Sequence, residues 1–139
     1  MVIETNENIV CIDVDETLVL WTIPPGRGSD CIMFNSFGVG EWLLPHEHHI
    51  KLLKQFKVRG HKVIVWSQGG PQWAAEVVRV LKLEDYVDVV MAKPKWIIDD
   101  LPASQWTART YLDIDGNRTV CKDAIASKGD DDTFPWDEK

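Results

Sequence analysis

An alternation of short β-favouring runs with helix-length amphipathic segments restricts the fold more than any other feature of this sequence. Residues 9–12, "IVCI", form an uninterrupted apolar run, and residues 61–66, "HKVIVW", form a second. Short runs of this kind read as fully buried parallel strands rather than half-solvated antiparallel ones. Pro45 opens a helix carrying Ile50, Leu53 and Phe56 on one face, and Gly60 ends it. Pro71 opens another, in which Trp73, Val77 and Leu81 recur at helical spacing beside Ala74 and Val78. "VDVVM" (87–91) and "WIID" (96–99) continue the series as strands. Strand–helix–strand alternation predicts an α/β domain with a mainly parallel sheet.

The intervening stretches are shorter. Residues 21–30, "WTIPPGRGSD", form a loop by their Pro, Gly and Ser content. "CIMFN" and "VGEWLL" flank "SFG" at 36–38, which predicts a small hairpin. "YLDIDGNRTV" (111–120) places turn residues between two β-like runs and predicts a second hairpin. A chain of 139 residues forms one domain, here residues 1–126. The acidic tail at 127–139 reads as loose, with Phe134 and Trp136 available to dock.

Several function classes are disfavoured. No apolar run approaches the length of a membrane span. "MVIETNEN" lacks the basic region and apolar stretch of a signal peptide. Cys11, Cys31 and Cys121 are odd in number, widely spaced and without a CxxC pair. That pattern favours reduced thiols in a cytoplasm over a disulfide framework or a zinc site. The net charge of -7 argues against an extended nucleic-acid groove, which needs clustered Lys and Arg. A small phosphorylated substrate held through a metal is compatible with it.

In parallel sheets, ligands gather at the carboxyl ends of the strands. The first strand ends in Asp13-Val14-Asp15, the second in Ser67, followed by Gln68-Gly69-Gly70. "WIIDD" ends in Asp99 and Asp100, shortly after Lys93 and Lys95 in "AKPK". Four carboxylates brought together would repel, and some would take up protons. A divalent cation and a lysine relieve that conflict, and hard oxygen ligands completed by water and phosphate suit magnesium. Each residue also has an ordinary reading. An Asp-x-Asp at a strand end is often a turn signal, and a Ser at position 67 is often a helix cap. "HEHH" (46–49) lacks the i, i+4 pair of a zinc helix and reads as a solvated helix start. "DIDGN" (113–117) repeats the Asp-x-Asp spelling, but an Asp-Gly turn explains it.

Taken together, these residues resemble the haloacid dehalogenase (HAD) superfamily. "DVDETL" looks like its nucleophile motif, Ser67 like its second, Lys93 in "KP" like its lysine, and Asp99-Asp100 like its acidic fourth, all in order across residues 9–101. The resemblance implies a Rossmannoid three-layer sandwich and a magnesium-dependent phosphomonoester hydrolase. It implies Asp13 as nucleophile, forming an aspartyl-phosphate, and Asp15 as general acid and then base. It also implies that Ser67 bonds a phosphate oxygen and that Lys93 neutralises charge, with Lys95 the competing lysine. Magnesium would be held by Asp13, the Asp15 carbonyl and Asp100, with Asp99 orienting it or its waters.

Two features fit the family less comfortably. Only "AKPK" separates "VDVVM" from "WIID", too short for a parallel crossover. Either 89–91 is not a full sheet strand, or the chain runs over the strand ends and lays Lys93 across the site. Residues 20–45 also leave room for only a loop and a hairpin flap where larger members carry a cap domain. Such an open site admits a bulky phosphoester or is closed by a second subunit, as in a homodimer. The flap carries Trp21, Phe34, Phe37 and Trp42 beside Arg27. Phe34 and Trp42 read as pins onto the core, while Trp21, Phe37 and Arg27, with Gln68 and Gly69, read as substrate contacts. Aromatic faces beside a basic residue suit a nucleotide or a nucleic-acid end. The alternatives are a sugar phosphatase and a non-catalytic module that binds a phosphorylated small molecule.

Overall fold

The computed structural model describes residues 8–119 and Trp136. The chain divides into two compact units, Met1–Pro94 and Lys95–Lys139. The expected boundary between 126 and 127, Cys121 and Phe134 lie outside the described residues. The first unit is mixed α/β. In chain order it holds strands β1 (Ile9–Asp13), β2 (Val19–Leu20), β3 (Ile32–Ser36) and β4 (Val39–Pro45), then helix α1 (Glu47–Val58). Strand β5 (Lys62–Ser67), helix α2 (Pro71–Val80) and strand β6 (Val89–Ala92) follow. One sheet has the order β1-β5-β6 and is parallel, as the strand–helix alternation predicts. A second, antiparallel sheet has the order β2-β4-β3. The expected hairpin is therefore β3–β4, and β2 widens it into a small sheet.

The two parallel crossovers, through α1 and through α2, step in the same direction across the sheet. Right-handed connections then place both helices on one face. Burial along β5 follows that geometry: Val63, Val65 and Ser67 are buried, while Lys62, Ile64 and Trp66 are only half-buried. The core fills from α1 with Ile50, Leu53 and Phe56, and from α2 with Trp73, Ala74, Val77 and Val78. β1 departs from the fully buried strand expected. It is an edge strand among the described residues, and its Ile9 is 50% exposed. An apolar run reveals strand character without revealing how many faces are covered.

Helix starts are set by local chemistry. Pro71 begins α2, where its missing N–H is one that a helix leaves unpaired anyway. Pro45 does not begin α1; it ends β4 opposite Val19, and His46 is the N-cap, its Nδ1 accepting the His49 N–H at 3.3 Å. The expectation of a solvated "HEHH" is thereby corrected. His46 and His49 are buried, with their rings stacked at 3.8 Å. The His49 Nδ1–H donates to the Thr17 carbonyl at 2.7 Å. Burial pushes the His49 imidazole down to about 4, aided by His46 and His48 and opposed by the Thr17 bond.

Two further expectations change. Residues 96–99 form no strand, and Trp96, Ile97 and Ile98 are exposed. This resolves the crossover conflict, since β6 is the strand and 96–99 is not. Trp42 does not pin the hairpin: Phe34 is buried, but Trp42 is 63% exposed on the other side of the sheet. In the second unit, the hairpin at 111–119 narrows to one bridge, Leu112 with Arg118, closing a turn at Asp113. No helix among the described residues is long and apolar enough to cross a membrane.

Candidate active site at the carboxyl ends of the parallel strands

β1 ends in Asp13, β5 in Ser67 and β6 in Ala92, and because the strands are parallel these ends share one edge of the sheet. Asp13 pairs with Trp66 and Ser67 with Ala92. The Lys93 N–H continues that ladder, donating to the Ser67 carbonyl at 2.9 Å. Beyond β1 the chain turns sharply. The Val14 carbonyl accepts the N–H groups of Thr17, Leu18 and Val19 at 2.8–3.2 Å. Glu16 takes a left-handed φ of 59° there, and its Oε1 accepts the Trp21 and Thr22 N–H groups at 2.8 and 3.0 Å. Buried Val14, Leu18 and Val19 fix this turn in the core, which keeps Asp15 beside the strand end.

The Asp15 carboxylate is held by three elements. Its Oδ1 accepts two indole N–H groups, from Trp21 at 2.8 Å and from Trp73 at 2.9 Å. The Ser67 Oγ–H points at Oδ2 over 3.4 Å, and the same Oγ accepts the Gly69 N–H at 2.9 Å. Gly69 has a steric role here. A Cβ at that position would lie 3.0 Å from Trp73 Cδ1 and 3.3 Å from Ser67 Oγ, so a side chain there would press on both groups that hold Asp15. The two indoles sit 6.1 Å apart, and Phe34 packs edge-on against Trp73 at 6.2 Å. Trp73 reads from its spacing as core alone. A usable signal was present, because a buried tryptophan N–H requires an acceptor.

Among the described residues, neither Asp13 nor Asp15 is ion-paired with a lysine or arginine; Arg27 pairs with Asp30, Lys57 and Lys62 with Asp88, and Arg79 with Glu76. The donor set suits a hard cation that keeps most of its waters: the Asp13 carboxylate and the Asp15 main-chain carbonyl. Within the Asp15 side chain Oδ1 is already filled by two donors, which leaves only Oδ2 open. No group of three His, Cys, Asp or Glu side chains forms a metal cage among the described residues.

The other expected site residues are distributed as follows. Asp99 and Asp100 belong to the second unit, where Asp99 Oδ1 accepts the Leu101 N–H at 3.0 Å. Lys95 opens that unit and is exposed. Arg27 is bound to Asp30 at 2.8 Å, and Gln68 is exposed next to Ser67. Phe37 stands at the tip of the β3–β4 hairpin. It lines a cleft of about 240 Å³ together with Asn35, Gly38, Gln72, Trp73 and Glu76. Trp21 is 42% exposed, but its N–H is committed to Asp15. No family model, curated protein or solved structure matches this chain.

Proposed function

We propose that the first unit is the core of a magnesium-dependent phosphomonoester hydrolase of HAD type. One observation carries this reading: Asp13, the clamped Asp15, Ser67 and the main chain of Lys93 meet at one edge of a parallel sheet. Asp99 and Asp100 belong to the second unit, and the reading does not depend on them.

The Asp13 carboxylate attacks phosphorus, forming an aspartyl-phosphate as the ester P–O bond breaks. Asp15 gives a proton to the departing oxygen. It then takes one from the water that attacks the intermediate, releasing phosphate and restoring Asp13. With Oδ1 filled by indoles, Oδ2 is the oxygen that exchanges this proton. Ser67 offers its hydroxyl to a phosphoryl oxygen, and the Lys93 ammonium balances the charge of phosphate and nucleophile. A magnesium ion on Asp13 and the Asp15 carbonyl would supply further charge neutralisation.

The test is hydrolysis of p-nitrophenyl phosphate by chelator-treated protein, with magnesium or calcium added back. Magnesium should restore turnover, and calcium should support it poorly because its larger, looser shell spoils in-line geometry. Absence of hydrolysis, or hydrolysis indifferent to chelation, overturns the proposal.

A further inference from the structure

The tip of the β3–β4 hairpin is built at a disadvantage. Ser36 pairs with Val39, so Phe37 and Gly38 are the two central residues, with φ of 54° and 89°. Two positive φ values define the turn that favours Asn-Gly, and a phenylalanine is strained in the first position. Phe37 is also 72% exposed. The residue therefore strains the backbone and leaves most of an aromatic ring in water.

The ring borders the cleft shared with the start of α2. Trp73 forms one wall, and the same indole donates to Asp15, so the cleft and the reaction site are separated by one side chain. The remaining lining is polar and selective. Gln72 brings an exposed amide, and Asn35, whose Oδ1 accepts the Gly38 N–H at 2.8 Å, keeps its amide N–H groups for a ligand. Glu76 is fixed as an anion. Desolvation raises its pKa, but the Asn35 N–H at 2.8 Å and Arg79 outweigh that and hold it below the usual value. Its Oε1 is taken by Arg79 and its Oε2 accepts the Asn35 N–H, which leaves Oε2 one further lone pair for an N–H of a ligand. At about 240 Å³ the cleft is smaller than a drug-sized site and admits a single heterocycle rather than a whole nucleotide.

We propose that this cleft is the leaving-group subsite of the enzyme, and that it takes the base of a nucleoside phosphate. The base stacks on Phe37 and is read at its edge by Asn35, Gln72 and Glu76, while the phosphate reaches Asp13 past Trp73. The term leaving group rests on the phosphatase reading; binding of the base does not.

The deciding variant is Phe37→Asn, which installs the residue this turn prefers. Its thermal midpoint should hold or rise, so lost binding cannot be blamed on lost folding. Calorimetric titration with a nucleoside lacking phosphate should show binding to wild type, weakened about tenfold in the variant, the scale of one lost stack. The ratio of kcat/KM for a nucleoside monophosphate to that for p-nitrophenyl phosphate should fall by a similar factor. A 5′-phosphorylated tetranucleotide, used as a further substrate, distinguishes the source of the base. Preference for the mononucleotide supports a free nucleotide, and equal use of both assigns the subsite to a polymer end. Wild type that hydrolyses p-nitrophenyl phosphate but binds no nucleoside overturns the subsite and leaves the phosphatase reading standing. Nucleoside binding lost in Phe37→Asn, in a protein that hydrolyses nothing, supports the subsite and removes the phosphatase reading.

Discussion

The chain spells Asp-x-Asp twice, and the two copies are organised in opposite ways. At Asp113-Ile114-Asp115 the first carboxylate accepts the N–H groups of Asp115 and Asn117, both at 2.9 Å and both within four residues. That is a turn stabilising itself. At Asp13-Val14-Asp15 the second carboxylate is held by Trp21, by Ser67 and by Trp73, which is 58 residues away. Gathering three elements onto one side chain carries an ordering cost that a local turn avoids. Preorganised polar groups of this kind are what a reaction site requires. The reach of its partners in sequence, more than the spelling, separates a site from a turn.

The sharpest way to break this comparison is to remove the charge from the first copy. Asp13→Asn keeps the side-chain shape but deletes the anion that the proposed attack on phosphorus needs. Turnover of p-nitrophenyl phosphate should fall by roughly 10⁴-fold or more, the scale seen when a covalent nucleophile is lost. The thermal midpoint should hold, since the amide keeps the side-chain shape. Near wild-type turnover would reduce the first copy to another turn.

A second test uses acid, because the turn after the first copy hangs on a buried histidine. His49 holds the Thr17 carbonyl, and its folded value of about 4 lies below the 6.5 of an ordinary histidine. Between those values the unfolded chain binds the proton and the folded chain does not. Stability from this group is therefore complete above about pH 6.5 and declines as pH falls toward 4. The shift corresponds to a loss on the order of 3 kcal/mol. The carboxylates Asp88 and Glu76, which are lowered, act below that window. Denaturant melts at stepped pH should show the decline in wild type and a flatter line in His49→Gln. Parallel lines would detach the site's turn from His49.

Much of the fold was legible because it rests on local signals. The β3–β4 hairpin, the Pro71 helix start and the β5 strand follow from turn residues and periodicity. The failures share a cause: they depend on what packs against a segment. "WIID" has the composition of a buried strand and forms none. Pro45 carries a helix-start signal, yet its backbone was claimed by pairing with Val19. "HEHH" reads as polar, but stacking and the Thr17 bond make two of its histidines part of the core. In the candidate site, the placement of Asp13, Asp15 and Ser67 was readable because strand ends are readable. The indole clamp was legible only in part: a buried tryptophan N–H needs an acceptor, but nothing local links position 73 to position 15.

The clamp itself supports a smaller prediction. If Trp21 and Trp73 position the proton-exchanging group, losing one indole N–H should matter when the leaving group needs a proton. Trp21→Phe keeps a ring and removes the donor at a half-exposed position, which spares the core. Turnover of phenyl phosphate should drop about tenfold, part of the 10²–10⁴ that general acid catalysis supplies. Turnover of 2,4-dinitrophenyl phosphate, whose leaving group departs unassisted, should drop much less. Equal losses on both esters would show that the tryptophan supports packing and not proton transfer.

The smallest effect belongs to the second copy, and it completes the comparison because the same chemical change is made in both places. Asp113→Asn retains an oxygen at the position that accepts the Asp115 and Asn117 N–H groups. Only the charge is lost, in an exposed turn, so stability should move by no more than about 0.5 kcal/mol. Turnover should match wild type. Asp113→Ala removes the acceptor as well and leaves two N–H groups to water, which are exposed enough to find it; about 1 kcal/mol is the expected cost. A large loss of activity from Asp113→Asn would mean that this carboxylate acts through its charge. The distinction between a self-satisfied turn and a tertiary site would then fail for this chain.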